Sequence, residues 1–502
     1  MNSARLRSLT LRAAATAAAL AAFAPMQATA QSRPANIAVT SRRLAWSGPV
    51  GVPALSHDLG SLLDRSVRSG DWGVIVVSLA HGDTLFGRNA DAALLPASTM
   101  KVFTSAAALD YLGPDYQFET QVLREGLIDS AGVLHGDLIL RGAGDPSLVV
   151  REDENPLRSL AQQVAAAGVK EVTGTILGDG SAFDGRRVPD GWAERNLSTR
   201  YARRVSALSY NQNVVRVVVR VAKGKAAIEF EPDLAGIGVV NGVSVRPDSR
   251  SGSIAIRQDS STGTFRVSGW IGASSPARGY SYNVEDPEVF AAAAFRAALA
   301  AEKVKVDAPR VKRGAASDSA ARVAGIPSRP LADLVAQMNG ESNNHFAELL
   351  FRNVARTTGS VGSADTGNAL MHVFLSDKVG TSATSFFAAD GSGLSSLDRV
   401  TPRNLVSVLD YSMKAPWSSV FAASLPVAGQ TETLRGRMIG TPAQGRLRAK
   451  TGTTGLVISL GGYVTAANGE ELAFAFIYNG TEHTRAKQAI DAMGATLAAF
   501  TR

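Results

Sequence analysis

Residues 94–109 read LLPASTMKVFTSAAAL, and this stretch decides the fold. Pro96 and Ala97 lead into an apolar run that predicts a buried helix, stopped at Gly113-Pro114. Ser98 precedes Lys101 by three residues, so on a helix the two share a face about one turn apart. An amine placed there can take the proton of the hydroxyl, which supplies a nucleophile and its base without any histidine. The S-x-x-K match is short, and this composition produces roughly one by accident. Lys101 is nonetheless the only lysine in the chain with a serine three places before it.

A second signal stands far downstream. Lys450-Thr451-Gly452 lies in RLRAKTGTTGLVISLGGYV and is the only K-[ST]-G in the chain, where composition would give roughly 0.2. Between the two lies Ser342-Asn343-Asn344, an S-x-N. Ser209-Tyr210-Asn211 and Ser281-Tyr282-Asn283 match that pattern too, but they sit near strand-like runs. Ser342 falls inside LADLVAQMNGESNNHFAELLFRNVA, whose apolar spacing is helical and places the triplet at a helix–helix junction. The order S-x-x-K, S-x-N, K-T-G resembles the serine penicillin-recognising enzymes. ASTMKVFTSAAAL, RGAGDPSL, ESNNHFAELLFR, ADGSGLSSLDRVTP, LPVAGQTETLRGRM and AKTGTTG resemble a narrower family. This is the D-alanyl-D-alanine carboxypeptidases with endopeptidase activity, of the penicillin-binding-protein-4 type (peptidase family S13). The likeness runs from about residue 90 to 465, most of the chain. Lys101 and Ser342 are 241 residues apart, which matches the extra region that family carries and leaves no place for a typical β-lactamase.

The resemblance implies an α/β (α+β) fold: a serine β-lactamase/transpeptidase-like domain with an antiparallel sheet flanked by helices, plus a β-rich insertion. It also implies roles. Ser98 is the nucleophile, Lys101 the base and Ser342 the relay to the leaving nitrogen. Asn344 holds the substrate backbone, and Lys450 stays charged beside an anionic substrate. Thr451 and Thr453 suit the terminal carboxylate of D-alanine, although Thr453 also reads as a plain strand residue. Gly452 lets the backbone come close to substrate, and the N–H groups of Ser98 and Thr453 form an oxyanion hole. For Lys101 to act, its pKa must fall from about 10.4 to roughly 7–8, through burial and a second cation nearby.

The pattern along the chain gives the organisation. Residues 57–70 predict a helix, and 73–79 and 84–86 two strands joined at His81-Gly82-Asp83. From 119 to 325 short β-rich runs recur between Gly, Asp and Pro turns, with helices near 156–168 and 287–302. This is the inserted region, expected as two small β-rich subdomains. The peptidase domain is discontinuous, 31–118 and 326–502. Helices follow at 329–357, 363–378 and 402–413, then three strands, of which the last two join at Asn468-Gly469, then a closing helix. Asp390-Gly391-Ser392-Gly393 reads first as a turn. Asp145 reads as a loop-pinning residue and His345 as a helix-packing one. The six histidines show no metal spacing, and neither metal nor cofactor is expected.

The remaining features bound the setting. Residues 1–30 carry Arg5, Arg7 and Arg12, an Ala/Leu-rich run and Ala28-Thr29-Ala30, which is the pattern of a secretory signal peptide. A short membrane anchor is the alternative, but the apolar run falls short of the ~20 residues a span needs. The expected location is the periplasm or cell-wall space of a bacterium, with no transmembrane segment after cleavage. The chain has no cysteine, which excludes thiol catalysis. Its net charge is +8, or +5 without those three arginines. That mild excess suits a solvated surface or attraction to anionic wall polymers, and nucleic acid is not expected. Peptidoglycan stem peptides are the expected substrates and β-lactams covalent inhibitors. A serine β-lactamase of the same superfamily and an inactive cell-wall-binding protein are the alternatives. No oligomeric state follows from the sequence.

Overall fold

Antiparallel pairing of strands from the two ends of the chain builds the central sheet. The computed structural model describes residues 47–502, apart from 68, 152, 153, 260 and 261; the expected signal peptide lies outside them. Five strands lie in the spatial order Leu447–Thr454, Val457–Thr465, Glu471–Asn479, Asp71–Ser78 and Thr84–Arg88. Gly469, at φ +87°, turns the chain between the second and third. Val457–Thr465 and Glu471–Asn479 are almost continuously buried, because helices cover both faces of the sheet. On one face the first helix, Val52–Ser66, and the last, His483–Ala499, pack together over Val74, Val76, Leu460, Phe474 and Phe476. On the other lie Met100–Leu112, Leu331–Glu341, Asn344–Arg356 and Pro402–Lys414. This is the antiparallel sheet flanked by helices that the motif order implied.

Met100–Leu112 runs through the middle of that helical layer. Ten consecutive residues, Met100 to Leu109, are buried, so the sequence shows no amphipathic stripe there. The helix ends where Gly113 takes φ +83°. The helical run expected over 329–357 is two helices, broken by Ser342 at φ 57°, ψ 44°. That left-handed conformation costs a non-glycine residue about 1–2 kcal/mol. Residues 418–424 form a further short helix that the sequence pattern did not reveal.

Residues 119–327 carry the other sheets. Strands Glu119–Arg124 and Ala321–Pro327 pair antiparallel and bring the two ends of this region together. They edge a five-stranded sheet in which Leu138–Arg141, Ile176–Asp179 and Lys312–Arg313 run parallel. Helices Pro156–Ala166 and Pro287–Ala301 pack against each other beside it. Two three-stranded sheets follow, one centred on Val214–Ala222 and one on Phe265–Gly272. Lys225–Glu231 and Arg278–Asn283 flank the first, and Val239–Arg246 and Gly252–Gln258 flank the second. Among the described residues no helix is long and apolar enough to cross a membrane.

Candidate active site

Ser98 sits in a single 3-10 turn, Ala97–Thr99, that opens directly into the Met100–Leu112 helix. Ala97 has φ +47°, an unusual value for a residue with a Cβ. Neighbours hold the turn in place. The Pro96 carbonyl accepts hydrogen bonds from Thr99 Oγ1 at 2.7 Å and from Ser459 Oγ at 2.7 Å. Gly393, at φ +80°, passes so close that an added Cβ would lie 1.8 Å from the Ala97 oxygen.

The helix then brings Lys101 Nζ to 2.9 Å from Ser98 Oγ, the spacing expected of residues three apart. Two stronger acceptors hold the amine: Asn344 Oδ1 at 2.7 Å and the Ser392 carbonyl at 2.7 Å. Lys101 has no solvent exposure. Burial lowers its pKa to about 7, while Asp390, Glu348 and Asp398 push it back up. Burial is thus the largest cause that brings this lysine into the range of a base.

Lys450 lies on Leu447–Thr454, the edge strand of the central sheet. Its Nζ donates to Ser342 Oγ at 2.9 Å and to the Thr451 carbonyl at 2.9 Å. It too is fully buried, and its pKa is pushed well below the usual lysine range by burial first and by the Lys101 charge second. None of the described carboxylates forms an ion pair with it. The lysine expected to stay charged thus has no described carboxylate to hold its proton.

Gly452 has a packing reason to be glycine. A Cβ there would meet Ser459 Oγ at 2.1 Å, the Pro96 carbonyl at 2.9 Å and Ala97 Cβ at 3.1 Å. The strand is pressed against the Ser98 turn. Thr453 is exposed beside it, and Thr451 Oγ1 donates to Thr433 Oγ1 at 3.1 Å. Asn344 is engaged at both ends: its oxygen faces Lys101, and its Nδ2 donates to the Tyr201 carbonyl at 3.0 Å. The expected contact to a substrate backbone would have to share or replace that bond.

Behind the base lies a buried acidic cluster that the motifs did not announce. Glu348 stands one helical turn after Asn344, and its Oε1 accepts from the Gly391 N–H at 3.0 Å. Burial and the Asp390 charge raise the Glu348 pKa to about 8. Asp398 is also raised, for the same two causes, and accepts from the N–H groups of Ala389 and Asp390. Asp390 gathers the N–H groups of Ser392, Gly393 and Ser395 and the indole of Trp192 at 2.7 Å. The 390–393 turn is thereby fixed so that its Ser392 carbonyl reaches Lys101.

His345 bonds Ser209 Oγ through Nε2 at 2.6 Å, and burial lowers its pKa to about 3. It is a neutral packing residue rather than a base. Asp145 accepts from Ser147 N–H and Oγ, both at 2.7 Å, as a loop-pinning residue would. Ser209 and Ser281, of the other two S-x-N triplets, make no hydrogen bond to Lys101 or Lys450.

A family model for the D-Ala-D-Ala carboxypeptidase 3 (S13) family matches residues 56–500. A D-alanyl-D-alanine carboxypeptidase of Actinomadura sp. (strain R39) is 32% identical over 485 residues, 93% of this chain and 88% of that protein. The D-alanyl-D-alanine carboxypeptidase DacB of Haemophilus influenzae is 27% identical over 432 residues, 84% of this chain and 88% of that protein. The crystal structure of penicillin binding protein 4 from the same bacterium superposes with a TM-score of 0.73 at 27% identity, covering 87% of this chain and 98% of that one. Its complex with a β-lactam superposes at 0.68, with 25% identity and the same coverage.

Proposed function

Since the chain belongs to the D-Ala-D-Ala carboxypeptidase 3 (S13) family and is a serine-type DD-peptidase, we propose that it cleaves peptidoglycan stem peptides and cross-links through an acyl-enzyme on Ser98. The observation that carries this reading is the amine-to-hydroxyl hydrogen bond of 2.9 Å between fully buried Lys101 and Ser98.

Neutral Lys101 takes the Ser98 proton as Oγ attacks the carbonyl carbon of the penultimate D-alanine. The backbone N–H groups of Ser98 and Thr453 receive the developing oxyanion. The C–N bond then breaks, and Ser342 gives its proton to the departing nitrogen. Ser342 can do so because its oxygen is already held by Lys450, which can replace the proton. Once the D-alanine has left, Lys101 loses the Ser98 proton to solvent and, neutral again, takes a proton from the water that hydrolyses the ester. Lys450, Thr451 and Thr453 face the terminal carboxylate, and that anion supplies the partner that Lys450 lacks.

A β-lactam presents a reactive amide and a carboxylate in the same disposition, so it should acylate Ser98 as well. The similar H. influenzae protein has been crystallised with one. The 119–325 region is read as the insertion of this family, and the substrate places the protein in the periplasm or cell-wall space.

Incubation with a fluorescent penicillin tests the assignment. A stable adduct on Ser98 is expected, and Ser98→Ala should remove both labelling and turnover while keeping the fold. Labelled Ser98→Ala protein in intact mass spectrometry would sink it, and rapid release of hydrolysed penicillin would favour a β-lactamase instead.

A further inference from the structure

The sheet centred on Phe265–Gly272 turns one face inward and one to solvent. Phe265, Val267 and Ile271 are buried in the core of the inserted region, while Arg266 and Ser268 point out. On one side Gly252–Gln258 pairs antiparallel and sets Arg257 opposite Arg266, Ala255 opposite Ser268 and Ser253 opposite Trp270. On the other side Val239–Arg246 runs parallel, with Gly242 beside Ser268 and Ser244 beside Trp270. The outer face is therefore flat and small in the middle. Arg257 and Arg266 stand at one end. At the other the Arg246 guanidinium lies 4.0 Å from the centre of the Trp270 ring.

Two facts set this face apart. Arg257 and Arg266 are exposed and directly opposite one another, a like-charge cross-strand pair that weakens a sheet. Neither they nor Arg246 form an ion pair among the described residues, whereas Arg216 and Arg220 on the adjoining sheet are bound to Glu231 and Glu229. Three guanidinium groups are thus left without carboxylates among the described residues, at the two ends of a face whose middle carries only Gly242, Ala255 and Ser268, with Val240 exposed beside Arg266. Each presents a planar fork that matches a carboxylate in bidentate fashion.

We propose that this face is a second docking surface for the peptidoglycan polymer, binding stem-peptide carboxylates at a distance from the strand being cut. Arg257 and Arg266 share one carboxylate, which turns their mutual repulsion into attraction. Arg246, held flat by Trp270, takes another. The inference rests on the proposed function for the identity of the polymer, since a chain of regularly repeated carboxylates is what such an enzyme meets. Attachment here would raise the local concentration of cleavable peptide without changing the chemistry at Ser98.

Co-sedimentation of the mature protein with insoluble peptidoglycan, over a range of salt, tests the proposal. Arg257→Ala/Arg266→Ala should weaken binding by about tenfold or more, the scale of one lost charge-assisted contact. The wild-type interaction should weaken as salt rises. Arg216→Ala removes the same charge from a paired arginine nearby and should bind as the wild type does. All variants should turn over a soluble D-Ala-D-Ala peptide equally, while digestion of the insoluble polymer falls for the double variant alone. Unchanged sedimentation of the double variant overturns the proposal, as does retention on anionic lipid vesicles but not on peptidoglycan. Absence of soluble-peptide turnover in the wild type would instead overturn the proposed function.

Discussion

Asn344 Oδ1 lies 2.7 Å from Lys101 Nζ, nearer than the Ser98 hydroxyl that the lysine serves. A protonated or neutral amine can donate to that oxygen, so the asparagine orients the base without fixing its charge. Asn344→Asp keeps the shape and adds a negative charge. An opposite charge this close raises a lysine pKa, by about 1–3 units. Acylation by penicillin requires neutral Lys101, so the wild-type rate should rise with pH through about 7. In the variant that rise should move up, and the rate at neutral pH should fall by about tenfold or more, each unit being a factor of ten. Second-order acylation rates measured from acid to alkaline pH check this; an unmoved profile would place the base elsewhere.

Glu348 makes a separate prediction about stability. Its folded pKa of about 8 lies above the usual carboxylate range, so the native state binds the extra proton that the unfolded state has lost. The contribution to stability is full at acid pH and is lost as pH rises through that window. Glu348→Gln cannot titrate. Relative to the variant, the wild type should lose up to about 1.4 kcal/mol per pH unit from roughly pH 5 to 8. Denaturant midpoints of both proteins across that range give the slope, and parallel curves would contradict it.

Trp192 ties the 119–327 region to the turn that holds the base, through its indole N–H and Asp390 Oδ2 at 2.7 Å. Both groups are buried. Trp192→Phe leaves a buried carboxyl oxygen short of a donor, at a cost of about 1–3 kcal/mol. The Ser392 carbonyl belongs to the same turn, so slower acylation should accompany the lower melting temperature. A destabilised variant with a wild-type acylation rate would show that the turn does not depend on this link.

How far the site could be read from the sequence follows from where its parts lie. Ser98, in the turn that opens the helix, and Lys101, in the first turn of that helix, are three residues apart, and helical geometry makes that pair visible at once. Lys450 was visible through a rare tripeptide. Ser342 was legible as a junction, although its left-handed backbone was not, because serine seldom adopts it. Glu348 offered a signal in its i,i+4 spacing to Asn344, but a glutamate in a helix ordinarily faces solvent. Trp192, Tyr201 and Asp390 reach the site from loops, where no periodicity announces a contact with a residue 100 or more positions away. The strands Val239–Arg246 and Arg278–Asn283 escaped notice for a related reason. They interrupt their apolar residues with Asn, Gly, Ser or Arg and stay exposed or half-buried, unlike the almost continuously buried Val457–Thr465.

Lys450 carries the last prediction. It is fully buried, bonded to a hydroxyl and a carbonyl, and without a carboxylate partner among the described residues. Burial and the Lys101 charge both disfavour its own charge. A substrate carboxylate restores the balance, since an opposite charge at that distance favours the protonated amine. Lys450→Met should therefore weaken kcat/KM for peptides ending in a free carboxylate by about a hundredfold, the scale of a lost charge-assisted contact in a buried site. Amidated analogues should lose far less. The acidic limb of the penicillin acylation profile should stay near pH 7, because burial is the largest cause of the low Lys101 pKa and itself disfavours the Lys450 charge. The folded variant should also be at least as stable as the wild type, since a buried amine with no counter-ion costs stability. Equal losses on free and amidated peptides would make Lys450 a structural residue of the edge strand. A raised acidic limb would instead mean that its charge is present before substrate arrives.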